Sequence, residues 1–199
     1  EEINISEVKN VQGYAQTDTF VYPKVYGEGL DLAYKYKKTL LKEGLLIKDS
    51  SSLPKPLIAQ KNLGLNLEFE VNTDEDLYDK TDNTKWNKNS KLENRKQIGI
   101  KDKQNQKDLF SLPQPYAIDS NGSRIKLSYT LKRENNKMLI SIVTPYVWLA
   151  NESRVYPVQI DPSTTLDDLR RHGEVETRNY GLPNWFFSDQ NDYDTFYVG

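Results

Sequence analysis

Few side chains in this sequence are of the kinds that usually carry enzyme chemistry. The chain has one histidine, His172, and no cysteine. A Ser–His–Asp triad or a histidine-based metal site needs more partners than one histidine in a polar segment offers, and without cysteine there is no thiol catalysis, disulfide or cysteine-ligated metal. Neither a phosphate-binding glycine loop nor a GxSxG motif is present. We therefore predict no catalytic residue, no cofactor-binding residue and no enzyme.

Two groups of oxygen-bearing side chains are candidate calcium ligands. Asp119 and Asn121 stand at alternate positions of a DSNGS sequence, and oxygen ligands at that spacing suit a hard cation. The same residues fit a tight turn equally well, because an Asn-Gly pair accepts positive φ angles. The second group, Asp189, Asp192 and Asp194, fits either calcium or a solvated loop.

Two tryptophans are candidates for binding a glycan, because a flat aromatic ring can stack on a sugar face. Trp86 lies in a polar stretch, and Trp185 precedes two phenylalanines. Such rings pack inside proteins more often than they bind sugars. The third tryptophan, Trp148, adjoins an apolar strand pattern and is expected in the core. Nearby Arg154 is expected either to pair with a carboxylate or to be exposed.

Charge and hydropathy argue against several kinds of partner. The net charge of −2 and the pI near 5.6 give no bulk attraction to nucleic acid or to an anionic membrane, so we predict no nucleic-acid partner. No apolar run approaches the roughly 18 residues of a membrane-spanning helix, so no membrane insertion is expected. The sequence begins Glu1-Glu2-Ile3-Asn4, without the basic start of a signal peptide, and we expect an excised or processed fragment.

The periodicity of apolar residues favours strands. Several runs alternate apolar and polar residues, which is the pattern of a strand with one buried face, and turn-forming residues separate these runs at short intervals. The pattern predicts an all-β fold, an antiparallel β-sandwich. The predicted strands include Leu30–Tyr36 paired with Leu40–Ile47, which has a bulge at Gly44, then Leu63–Val71, Ile98–Ile100 paired with Leu109–Phe110, and Ile125–Leu131 paired with Met138–Val143.

Composition divides the chain into three parts. Residues 1–16 are weakly patterned and are expected to form a leading segment or an edge strand. Residues 17–162 are predicted to form the sandwich. Within them, the apolar content collapses over 73–96, which predicts a polar insertion such as a long hairpin tip or a mobile loop. Residues 163–199 are expected to hold a linker and the beginning of a second β-module or a strand extension.

The stretch Trp148–Thr165 is expected to close the sandwich. It contains a strand pattern and stops at Asp161-Pro162. The strands at Leu63, Ile125 and Met138 are its expected neighbours.

Three stretches of the sequence resemble a prokaryotic secreted domain. They are VYPKVYGEGLDLAYKY at Val21–Tyr36, LFSLPQPYAIDSNG at Leu109–Gly122 and WLANESRVYPVQIDP at Trp148–Pro162. The last resembles the family's "WL…R.YPV.IDP" ending. Such domains adjoin DNRLRE-type β-modules and occur in YD-repeat (Rhs-like) cell-wall proteins. The NYG and VG steps near the carboxyl end resemble the opening of a DNRLRE-type module.

This resemblance implies a non-catalytic structural or spacer module, or an adhesive one, in an extracellular surface protein or filament. Its partners would be neighbouring β-modules of the same parent chain or of like subunits, or a cell-surface glycan. A carbohydrate-binding module with exposed aromatic rings is the first alternative. A glycoside-hydrolase-like fragment is the second, because carboxylates are numerous and a catalytic pair among them stays open. Calcium is the one cofactor left open.

Overall fold

The computed structural model describes residues 8–37, 40–53, 64–71, 73, 75–87, 89–134, 137–162, 164–166, 185–186 and 197–198. Two short helical segments lie within them, a 3-10 turn at Ser50–Ser52 and the helix α1 at Tyr146–Leu149. No helix in the described part is long and apolar enough to cross a membrane. The strands are β1 (Tyr14–Gln16), β2 (Thr19–Tyr22), β3 (Leu30–Lys37), β4 (Leu40–Ile47), β5 (Gly64–Val71), β6 (Asp76–Asp79), β7 (Leu92–Arg95), β8 (Ile98–Lys101), β9 (Asp108–Leu112), β10 (Tyr116–Asp119), β11 (Arg124–Lys126), β12 (Tyr129–Glu134), β13 (Lys137–Pro145), β14 (Val158–Asp161), β15 (Thr164–Leu166), β16 (Trp185–Phe186) and β17 (Tyr197–Val198).

A large antiparallel sheet runs from β1 through β2, β3 and β4 to two strands in line, β14 and β15. Both pair with β4 in one register, in which Val158 lies opposite Ile47 and Thr164 lies opposite Leu41. On their other side, β14 pairs with β10 and β15 pairs with β9. The sheet then divides, because β10 continues into β11 whereas β9 continues into β8 and β6.

The stretch expected to close the sandwich therefore lies in the middle of the large sheet. Its strand β14 has β4 and β10 as neighbours, so the prediction that the Leu63, Ile125 and Met138 strands flank it is wrong. Pairing also continues beyond Pro162, since β15 keeps the register of β14 along β4.

A second sheet, in the order β5-β13-β12-β7, packs against the first. Apolar residues that the two sheets turn towards each other meet in one cluster. This confirms the predicted all-β antiparallel sandwich. The two-residue strands β16 and β17 pair with each other. Fully buried core side chains are Ile47, Ile98, Val158 and Ile160 from the large sheet and Tyr129, Leu131, Ile140 and Ile142 from the small sheet.

The predicted hairpins β3–β4, β8–β9 and β12–β13 are present. Within β4, however, Gly44 lies in regular register opposite Ala33, so the bulge predicted there is wrong. A side chain at this position would collide with Gln159, whose Nε2 lies 2.5 Å from the place a Cβ would take. The glycine therefore leaves room for the Gln159 side chain of the neighbouring strand.

The alternation over Ile125–Leu131 does not belong to a single strand. Its first part is β11 in the large sheet and its last part is β12 in the small sheet. At the corner between them, the Leu127 N–H donates to the Pro115 carbonyl at 2.8 Å. Both strands turn their apolar residues to the same core, so the alternation runs on through the corner and conceals it.

The segment 73–96, expected to be a hairpin tip or a mobile loop, contributes a strand to each sheet. Its strand β6 pairs with β8 in the large sheet, and β7 pairs with β12 in the small sheet. Leu77 and Trp86 are buried in the shared core. Apolar residues this widely spaced show no strand periodicity, although each fills a place in the interior.

Candidate functional site

One group of polar side chains surrounds the carboxyl end of β10. Arg154 follows α1 and a turn in which the Asn151 side chain accepts a hydrogen bond from the Ser153 N–H. The Arg154 Nη1 donates to Asp119 Oδ2 at 2.7 Å, its Nε donates to the Trp148 carbonyl at 3.2 Å, and its guanidinium lies 4.1 Å from the centre of the Trp148 ring. The side chains of Arg154 and Asp119 are only 8% and 1% exposed. The predicted carboxylate partner of Arg154 is confirmed.

The turn after β10 uses Asp119 as an acceptor at the position where calcium was a candidate. Asp119 Oδ1 accepts the N–H groups of Asn121 at 3.1 Å and Ser123 at 2.8 Å, while Oδ2 faces Arg154. Burial opposes the charged carboxylate, but the N–H of Ser123, that of Val155 and the Arg154 charge hold the pKa of Asp119 below its usual value. The turn and the ion pair thus account for Asp119 and Asn121.

The remaining metal candidates lie where the structure describes no residues. No group of three or more His, Cys, Asp or Glu side chains among the described residues could hold a metal ion. The residues Asp189, Asp192 and Asp194, like His172, lie outside the described residues. Calcium at those aspartates stays a prediction.

The structure describes the side chain of one glycan candidate, Trp86, and only the backbone of the other, Trp185. Trp86 is 3% exposed, and its Nε1 donates to the Ser90 carbonyl at 2.8 Å. Its ring is therefore part of the core and cannot serve as the exposed sugar-stacking surface for which it was a candidate. Leu77, from the same segment, is buried in the same core cluster. The backbone of Trp185 pairs with Val198 in β16, and its side chain lies outside the described structure.

A second polar group lies on the outer face of the large sheet, at the start of β10. Tyr116 is opposite Lys126 of β11 on one side and opposite Asp161 of β14 on the other. Lys42 reaches the same place from β4, and Arg124 reaches it from β11. We call these five residues the Tyr116 cluster.

The contacts within the Tyr116 cluster are short. The Tyr116 hydroxyl donates to Asp161 Oδ2 at 2.6 Å. Lys42 Nζ lies 3.3 Å from that oxygen and 3.2 Å from the Tyr116 hydroxyl. The Arg124 guanidinium carbon is 4.5 Å from the centre of the Tyr116 ring. The Asp161 side chain has no exposed surface, whereas that of Lys42 is 30% exposed.

These contacts fix the charges of the cluster. Burial raises the pKa of Tyr116, and its hydrogen bond to Asp161 raises the pKa further, so the phenol is neutral at pH 7. Burial lowers the pKa of Lys42, but Tyr116 and Asp161 outweigh that effect and raise it, so the ammonium keeps its charge. The cluster therefore contains three cations, Lys42, Arg124 and Lys126, and one carboxylate, which leaves two positive charges in excess. Such an arrangement can attract an anion.

A half-buried carboxyl group, that of Glu43, lies on the core face of β4, the strand that also carries Lys42. Glu43 is opposite Tyr34 in the β3–β4 pair, and the Tyr34 hydroxyl donates to Glu43 Oε1 at 3.0 Å. Burial raises the pKa of Glu43 to about 7, opposed by that hydrogen bond and assisted by the charge of Asp161. Glu43 therefore titrates close to neutral pH.

No family model matches this chain. Part of it is similar to the tRNA nuclease WapA of Bacillus subtilis (strain 168), the tRNA3(Ser)-specific nuclease WapA of Bacillus spizizenii and the tRNA(Glu)-specific nuclease WapA of Bacillus subtilis subsp. natto. Each is 37% identical over 68 residues, which cover 30% of this chain and 3% of the nuclease. The chain thus spans a small part of the length of these relatives.

The similarity to nucleases corrects the predicted function. The prediction of a non-catalytic structural or adhesive module that is not an enzyme is wrong, as are its carbohydrate-binding and glycoside-hydrolase alternatives. So is the prediction of glycan or β-module partners and no nucleic acid. That prediction relied on a net charge of −2, which averages over the whole surface and hides the local excess of positive charge around Tyr116.

The Tyr116 cluster was missed because its members are far apart in the sequence. Tyr116 is 74 residues from Lys42 and 45 from Asp161. The one local signal is the pair Arg124 and Lys126, which alternate with Ile125 in a strand and so point to the same face.

Proposed function

We propose that this chain is a β-domain of a tRNA nuclease similar to WapA and that the domain contacts the tRNA. The proposal rests on one observation, the 37% identity to three tRNA nucleases. Because the match covers 3% of each relative, the similarity supports one segment in common between this chain and the nucleases. The nuclease activity of the whole protein and its tRNA substrate are proposed together with it.

The names of the relatives bear on what such a domain recognises. One name specifies a serine tRNA and another a glutamate tRNA, yet each matches this chain at 37% identity over 68 residues. A segment that is equally similar to nucleases of different specificity does not select the tRNA. We therefore propose that the domain contacts features common to all tRNAs.

A local surface of the domain supports a tRNA contact. The net charge of −2 gives no attraction over the whole molecule, so a contact with RNA needs a region of positive potential. The Tyr116 cluster provides one, because Arg124 and Lys126 are exposed and Asp161 is the one carboxylate among the five members.

The test measures binding and cleavage of tRNA by the purified chain. Fluorescence anisotropy with labelled tRNA is expected to report binding at low ionic strength that weakens as salt is added. A denaturing gel of the same mixtures reports cleavage. Poly-L-glutamate serves as the competitor of matched charge. A chain that neither binds nor cleaves tRNA, or that releases it as readily to polyglutamate as to unlabelled tRNA, overturns the proposal.

We also propose an extracellular location for the parent protein. The resemblance of Val21–Tyr36, Leu109–Gly122 and Trp148–Pro162 to a secreted domain that adjoins DNRLRE-type modules supports it. Immunoblots of culture medium, cell wall and cytoplasm test it, and a signal confined to the cytoplasm contradicts it.

A further inference from the structure

We infer that the Tyr116 cluster binds phosphate groups of the tRNA backbone, with Arg124 and Lys126 as the contacting cations. The inference rests on the proposed function and adds the residues and the chemical group that make the contact. Its central observation is the arrangement around one tyrosine. Arg124 lies on the ring of Tyr116, and Lys126 lies directly opposite the same residue in the register of the sheet.

The cluster differs from the rest of its sheet face in its charge balance. Two other lysines on that face are neutralised, Lys35 by Asp18 at 2.6 Å and Lys48 by Asp31 at 2.8 Å. Neither Arg124 nor Lys126 has a carboxylate partner among the described residues.

Lys42 adds to this excess from the side. Its ammonium shares the buried Asp161 carboxylate with the Tyr116 hydroxyl. An anion that approaches from solvent therefore meets two exposed positive charges and a third close behind them.

The two contacting cations are accessible and partly ordered before binding. Both lie on β11, whose only neighbour in the described sheet is β10, and both are exposed. The contact of Arg124 with the Tyr116 ring, 4.5 Å from the guanidinium carbon to the ring centre, restricts the guanidinium before an anion binds. Less side-chain entropy is then lost when the guanidinium binds an anion.

Phosphate fits these cations better than other anions of a tRNA-directed protein. A guanidinium donates two parallel hydrogen bonds to phosphate oxygens, and an ammonium provides a point charge beside it. Phosphate contacts position a nucleic acid without reading its bases. A contact of this kind therefore does not distinguish a serine tRNA from a glutamate tRNA.

The test compares two double variants of the chain by tRNA anisotropy over a range of KCl concentrations. Arg124→Ala with Lys126→Ala removes the proposed contacts. Lys103→Ala with Lys107→Ala removes the same charge from two exposed lysines of the β8–β9 turn. The slope of log Kobs, the observed binding constant, against log[KCl] is negative, and we expect the first variant to reduce its magnitude by about 1.5, since each phosphate contact contributes roughly 0.7 to 0.9. The control should reduce it by less than about 0.5.

The outcomes separate this inference from the proposed function. If the chain binds tRNA and both double variants weaken binding equally, the phosphate site is not the Tyr116 cluster, although tRNA contact stands. If binding by the first variant also becomes selective between serine and glutamate tRNAs, the cluster does not act through phosphates. Absence of all tRNA binding by the unaltered chain overturns both. Circular dichroism spectra and melting curves confirm that each variant is folded.

Discussion

Two charged groups lie at opposite ends of the β10–β14 pair, and they differ in charge balance and exposure. At the carboxyl end of β10, Arg154 and Asp119 neutralise each other, with side chains 8% and 1% exposed. At its amino end, the Tyr116 cluster contains three cations and one carboxylate, and two of those cations are exposed. The stretch Trp148–Pro162, which resembles the ending of a prokaryotic secreted domain, contributes to both ends. Arg154 lies at one end and Asp161 at the other.

The difference indicates separate roles for the two ends. A buried, balanced pair fixes one conformation, because removal of either partner leaves an uncompensated charge in the interior. Exposed unbalanced cations contribute little to the stability of the fold, but they create the local potential that attracts an anionic partner. We therefore expect substitutions at Arg154 to affect stability and those at Arg124 and Lys126 to affect binding.

The largest effect is expected from Arg154→Ala. It leaves the buried Asp119 without its cation and removes the guanidinium from the Trp148 ring, so Tm should fall by roughly 10 °C or more, measured by circular dichroism. Arg154→Lys should recover only part of this loss, since an ammonium cannot both stack on the indole and donate in the same geometry. The control Lys91→Ala breaks an exposed ion pair with Glu93 and should change Tm by no more than about 2 °C. Equal melting of both alanine variants would contradict the comparison.

A smaller effect that depends on pH is expected from Glu43→Gln, behind the Tyr116 cluster. The pKa of Glu43 is raised from 4.5 to about 7 in the folded protein, so the native state binds a proton more tightly than the unfolded chain does. Stability should therefore decrease as pH rises from 4.5 towards 7 and stay reduced above it. Tyr34, Tyr26 and Asp161 lie nearby and carry no positive charge to offset an ionised Glu43.

Glutamine cannot ionise, so its benefit should appear only above the pKa of the glutamate. We expect Glu43→Gln to change stability little at pH 4.5 and to raise it by roughly 3 kcal/mol at pH 8. Urea unfolding at both pH values measures the difference. The exposed Glu93→Gln is the control and should show no such change between the two pH values. A Glu43→Gln variant that is no more stable than the unaltered chain at pH 8 would show that ionised Glu43 does not destabilise the fold near neutral pH.

Features formed by segments that are adjacent in the sequence could be predicted, whereas contacts between distant segments could not. The hairpins β3–β4 and β12–β13 follow from alternation within adjacent segments, and so does the all-β fold. The place of β14 between β4 and β10 could not be predicted, because alternation shows which face of a strand is buried and not which strand lies beside it. Trp86 was misjudged for a related reason, since its burial depends on a core built by other segments.

The two charged ends show the same limit. Arg154 could be expected to have a carboxylate partner, but Asp119 is 35 residues away and was instead a candidate for calcium. The Tyr116 cluster joins four strands, and net charge gave no sign of it. Both ends are built from basic, acidic and aromatic residues, so their difference in net charge follows from where the fold places those residues.

The smallest effect is expected from Tyr116→Phe, which separates the hydroxyl of the cluster from its ring. Loss of the 2.6 Å bond to Asp161 should reduce stability by about 1 to 2 kcal/mol, because a buried carboxylate loses one of its donors. The ring remains under Arg124, so the affinity for tRNA should stay within about twofold. The matched change at the other end is Tyr156→Phe, which removes a 2.8 Å bond to the Leu149 carbonyl and should cost about 1 kcal/mol with no effect on tRNA. If Tyr116→Phe weakens tRNA binding as much as the loss of Arg124 and Lys126 does, the hydroxyl itself contacts the ligand, and the division into a supporting tyrosine and contacting cations is wrong.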